Sequence, residues 1–122
     1  MLFYDRLGRD FFFLWESFYF ALSNGRAVAI LDDFRVRSMS GNLRAYLHED
    51  LILDERGQVV LWSKADEELL DFPTPIPGRQ YLPLIKTRAP EDLLNRPRGP
   101  MVSCPELIPS WSMVSPESLF TK

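Results

Sequence analysis

The sequence predicts an α+β fold: an N-terminal aromatic-rich helix packed on a small antiparallel sheet, followed by a Pro-rich, mostly irregular C-terminal arm with short helical turns. Three observations lead there. Ten of the sixteen aromatic residues lie between Phe3 and Phe34. All ten prolines lie between Pro73 and Pro116. Between these regions, residues 43–62 show short apolar runs and period-two alternation bounded by turn residues, the pattern of paired strands. With 122 residues, 46% hydrophobic and 25% charged, the chain has the make-up of one ordinary domain. Residues 1–72 read as the α+β core and 73–122 as a Pro-rich wrapping arm of the same domain.

The helix is assigned to residues 11–22. Asp10 precedes the run as an N-cap and Asn24-Gly25 follows it as a left-handed stop. Phe11 to Trp15 are apolar without alternation, and Glu16, Ser17, Ser23 and Asn24 fall on one side of a helix. A rival reading takes Asn24-Gly25 as a hairpin turn, with Phe20 facing Ala29 and Phe18 facing Leu31 across a ladder. The unbroken apolar run favours the helix.

Ala27 to Val36 reads as one strand, and Ser38 to Asn42 as a turn. Leu43, Ala45 and Leu47 alternate with Arg44, Tyr46 and His48. Leu51–Leu53 and Val59–Trp62, joined by Asp54-Glu55-Arg56-Gly57, form the best hairpin of the chain. Ser63 is placed to cap a short helix Lys64 to Asp71, which docks through Leu69, Leu70 and Phe72. Beyond Phe72 the prolines exclude continuous helix or strand. Pro90, Pro105 and Pro116 each read as the start of one helical turn. The arm also carries many apolar residues, among them Tyr81, Leu107, Ile108 and Trp111. They need a cover, supplied by the same chain or by a second copy.

Charge narrows the partners. Residues 1–72 carry eight Lys or Arg against thirteen Asp or Glu, and residues 73–122 carry six against four, for a net −3. An acidic chain lacks the basic footprint that nucleic-acid binding needs. The apolar run 11–22 falls short of the roughly 20 residues of a spanning helix, so no membrane partner is expected. Arg6 and Arg9 before that run, with Ala21-Leu22-Ser23 at its end as a cleavage pattern, resemble a signal peptide, but Asp5 and Asp10 cancel its positive leader. A single cysteine forms no intramolecular disulfide, and a cytoplasmic location is the default.

Little catalytic chemistry is available to a chain with one histidine and one cysteine. Cys104 with His48 is the only possible thiol dyad, and such an arrangement also needs a third residue to orient the imidazole. His48-Glu49-Asp50 and Asp54-Glu55 lack the alternation of a calcium loop and read as a solvated rim. Asp32-Asp33 read as a wet break in strand pairing. No glycine-rich nucleotide motif and no Gly-x-Ser-x-Gly is present, and no metal or cofactor is expected.

The leading expectation is therefore a small non-catalytic interaction protein acting as a homo-oligomer, with another protein as a second class of partner. Phe11, Phe12, Trp15, Phe18 and Tyr19 are its expected core or self-interface residues. The alternative is a small-molecule-binding protein with an aromatic cleft between helix and sheet. Trp15, Tyr46 and Trp62 would line that cleft, and Asp32, Glu49 or Asp50 would select a cation.

Overall fold

The computed structural model describes residues 1–15, 18–21, 27–66, 68–76 and 104–119, and of residues 15 and 18–21 the backbone only. One sheet runs in chain order through β1 (Leu2–Tyr4), β2 (Asp10–Trp15), β3 (Phe18–Ala21), β4 (Ala27–Asp32), β5 (Arg35–Ser38), β6 (Leu43–His48), β7 (Leu51–Leu53), β8 (Gln58–Trp62) and β9 (Ile108–Trp111). The first eight strands form an antiparallel meander. It curls until β1 meets β8 at the single pair Tyr4↔Trp62. β9 lies parallel to β8 beside Gln58 and Val59, further along the same edge.

The expected N-terminal helix is overturned: its residues lie in β2 and β3, paired as Phe12↔Ala21, Phe13↔Phe20, Leu14↔Tyr19 and Trp15↔Phe18. The fold is therefore all-β rather than α+β. A strand covered on both faces shows no alternation, because both sets of side chains leave water. Phe12 is buried, and Phe11, Phe13 and Leu14 are half-buried. β3 and β4 do form the hairpin of the rival reading, but in another register, with Tyr19 rather than Phe20 opposite Ala29.

Three more elements differ from expectation. The strand 27–36 is two strands, because Asp33, with φ of 62°, and Phe34 reverse the chain so that Asp32 pairs with Arg35. The described residues of the expected helix 64–71 make a turn instead: Asp66 draws the Leu69 and Leu70 amides to its carbonyl at 3.0 and 3.3 Å and the Glu68 amide to its carboxylate at 3.2 Å. An aspartate that bonds its own neighbours competes with the helical ladder in this way. The Pro105 segment runs extended into β9, whereas Pro116–Ser118 is one 3-10 turn. The turn expected at Pro90 lies outside the described residues.

The meander is a four-fold internal repeat. Gly8, Gly25, Gly41 and Gly57 follow one another at intervals of 17, 16 and 16 residues. The hairpins β1–β2, β3–β4, β5–β6 and β7–β8 carry a register shift at equivalent places, after Phe3, Tyr19, Val36 and Ile52. The ladders between hairpins have no such shift. A bulge increases local twist, so its repetition in every hairpin curls the sheet evenly.

The repeat also builds the core. The pairs Phe3↔Phe12, Val36↔Ala45 and Ile52↔Leu61 supply one buried cluster with Ala29 and Val60, and Leu119 joins it from the C-terminal turn. A second cluster of Tyr46, Leu51, Leu53, Val59 and Trp62 lies on the other face, where Leu69, Leu70, Phe72, Leu107 and Trp111 pack over it. Each large apolar side chain so buried contributes roughly 1.5–3 kcal/mol.

Candidate functional site

An up-and-down meander places its four hairpin loops at one rim and its short turns at the other. The glycine-loop rim is the most elaborated part of the described structure. In the first hairpin the Asp5 Oδ1 accepts from the Leu7 and Arg9 amides, both at 2.9 Å. In the fourth, Asp54 Oδ1 accepts from the Arg56 and Gln58 amides at the same distances. Ser38 occupies the equivalent place in the third, accepting from the Asn42 amide at 3.2 Å. In each the glycine amide donates to the carbonyl three residues back, at 3.0 Å for Gly8, 2.9 Å for Gly41 and 3.0 Å for Gly57. The glycines sit at φ of 83°, 95° and 89°, which glycine adopts without steric cost.

The C-terminal segments are stitched onto this rim. Ile76 donates its amide to Gly8 O at 3.0 Å, and Ile108 to Gly57 O at 2.9 Å. At the fourth hairpin the Gln58 side chain donates to Ser110 Oγ at 2.8 Å, and Ser112 Oγ to Asp54 Oδ2 at 2.5 Å. A hydrogen bond to a charged carboxylate in a buried place is among the stronger ones a protein makes.

Beside this stitching a pocket of about 240 Å³ opens between the first loop and the end of β9, lined by Asp5, Arg6, Leu7, Arg9, Trp111 and residues 112–117 among others. Apolar side chains form its lip: Leu7 is 58% exposed, Met113 91% and Val114 40%. Arg6, Arg9 and Glu117 add charges of both signs.

The sequence-predicted site residues are spread over several places. Trp62, 2% exposed, donates Nε1 to the Asp5 carbonyl at 2.7 Å, with Tyr4 and Phe72 ring centroids 5.0 and 5.1 Å away. Tyr46 is buried in the same outer cluster, stacked 6.4 Å from Phe34. Asp32, read as wet, is mostly buried beside two arginines, 3.1 Å from Arg37 Nε and 3.5 Å from Arg35 Nε, while Asp33 is exposed. Strand β4 continues through Asp32 because Arg35 and Arg37 compensate its charge. Glu49 and Asp50 form the β6–β7 turn and, with His48, Lys64, Asp66 and Glu68, line an open pocket of about 480 Å³ at the opposite rim. Phe12 is in the inner cluster and Phe11 packs against it at 6.0 Å. The side chains of Trp15, Phe18 and Tyr19 lie outside the described residues.

The cleft expected between a helix and the sheet has no counterpart among the described residues, because the expected helix is part of the sheet. Cys104 lies in an extended segment against the outer cluster, where burial raises its thiol pKa, the opposite of what a nucleophile needs. Among the described residues no three His, Cys, Asp or Glu side chains are grouped to hold a metal ion. None of their helices is long and apolar enough to cross a membrane. The stitched rim was missed by sequence reasoning. Its signal was the glycine interval of 16 to 17 residues with Asp or Ser three residues before Gly8, Gly41 and Gly57.

Fold and rim together define a small all-β protein built from four hairpins around one curled sheet, with a left-handed glycine in the loops of the first, third and fourth. A family model described as 4-fold beta flower protein matches residues 1–120, and the chain belongs to that family. No curated protein and no solved structure matches the chain.

Proposed function

We propose that this is a cytoplasmic, non-catalytic interaction protein that acts as a homo-oligomer, with residues 73–122 serving as an arm of the same domain. The supporting observation is the apolar lip of Leu7, Met113 and Val114 around the rim pocket. Apolar side chains gathered about a pocket and fringed by charge are the usual make-up of a protein-binding patch. The fringe carries both signs, Arg6 and Arg9 beside Glu117, a make-up that two copies of one patch can share across a two-fold axis. The four-fold in the family description has a counterpart within one chain, the four hairpins, and the oligomer reading rests on the lip instead. Neither nucleic acid nor membrane nor cofactor enters this reading.

Light scattering over a concentration series tests it. The expected result is a dimer or larger species at tens of micromolar that Met113→Asp returns to monomer. A strict monomer throughout that range overturns the reading.

A further inference from the structure

The repeat makes the hairpin loops comparable site by site, and two of them show how the rim receives an extended chain. At Gly8 the visiting segment is Thr74-Pro75-Ile76, and at Gly57 it is Glu106-Leu107-Ile108, each followed in the sequence by a proline. Both place an isoleucine before a proline, and the isoleucine amide donates to the glycine carbonyl. In both, the carbonyl two residues earlier lies over the glycine Cα. A Cβ there would stand 2.6 Å from Thr74 O at Gly8 and 1.9 Å from Glu106 O at Gly57. Both glycines are buried by this contact.

The third hairpin has the same loop backbone and the same left-handed glycine, yet Gly41 is exposed and no described residue comes within 4 Å of where its Cβ would lie. Asn42 stands in the loop position from which Gln58 holds Ser110, its side-chain amide making one long bond, 3.4 Å, to Ser40 Oγ. The Gly41 carbonyl accepts one long bond from Arg37 Nη1, at 3.3 Å, and retains a lone pair for an incoming amide.

We infer that the notch at Gly41 is a docking site for an extended segment of a partner protein that carries an aliphatic residue followed by proline. Strand-like docking by main-chain bonds is a general mode of peptide capture. Proline after the aliphatic residue suits it, because it holds that residue extended. This gives the interaction reading above a partner chemistry and rests on that reading. Its test is separate, since Gly41 is not part of the apolar lip.

The probe is a fluorescein-labelled peptide of residues Pro105–Ser112 titrated by anisotropy into the full chain. Saturable binding is expected, weakened about tenfold or more when the isoleucine amide is N-methylated. Gly41→Ala, which puts a methyl group where the visiting carbonyl would lie, is expected to weaken it by a similar factor. The same segment has its own place at Gly57, so binding that N-methylation weakens but Gly41→Ala leaves unchanged is exchange there and overturns the proposal. Asn42→Ala, an exposed change in the same notch, is expected to weaken binding as well and serves if Gly41→Ala folds poorly. No saturable binding, or binding indifferent to both changes, overturns the proposal. A monomer by light scattering with intact peptide binding would remove the homo-oligomer alone.

Discussion

The β7–β8 and β5–β6 hairpins share a loop backbone and differ in what lies upon it. In the first, a carboxylate gathers two loop amides through one oxygen and fixes the C-terminal segment through the other. In the second, a serine hydroxyl gathers one amide and hydrogen-bonds its neighbour Ser40 at 2.8 Å. One repeated unit thus serves as an anchor in one copy and as open surface in another, and the change from Asp54 to Ser38 marks the difference.

Substitutions at equivalent places break or sharpen this contrast, and each is read as the stability change in urea unfolding. The largest loss is expected for Gly57→Ala. It combines a left-handed backbone with displacement of Glu106 and costs about 3 kcal/mol or more. Next is Asp54→Ala, which takes the acceptor from the Arg56 and Gln58 amides and from the Ser112 hydroxyl proton, at about 2–3 kcal/mol. Gly41→Ala meets no described neighbour and carries only the backbone penalty, about 1 kcal/mol. Ser38→Ala, giving up one loop amide bond, is expected to be the smallest, at or below about 1 kcal/mol. Equal losses at Gly57 and Gly41 would remove the distinction between anchor and open surface.

What the sequence disclosed followed from how completely each strand is covered. The hairpin Leu51–Leu53 and Gln58–Trp62 was legible because its loop, Asp54 to Gly57, is polar, glycine-bearing and bounded by short β-rich runs. The N-terminal strands were misread because aromatic residues occupy both faces, which erases the alternation a strand needs to be recognised. The polar residues Glu16, Ser17, Ser23 and Asn24, which read as a helical stripe, lie outside the described residues. The repeat escaped because its copies share little beyond a glycine and a bulge, with Phe12, Ala29, Ala45 and Leu61 filling equivalent inner places at very different volumes. Of the candidate site, the charged and apolar residues of the rim were visible only as loop composition. Their convergence depends on pairing between β8 and a segment some fifty residues later.

The seam at Tyr4 and Trp62 carries a consequence for how the chain reaches its folded state. Every other link in the meander joins neighbours in sequence, so loop-closure entropy is spent in small steps. The seam alone joins its two ends across most of the repeat, through one strand pair and the indole bond to the Asp5 carbonyl. Loop-closure entropy alone predicts fast local zippering followed by a late ring closure. Weakening the closure by Trp62→Phe, which deletes the indole donor, should speed opening of the folded state more than it slows zippering.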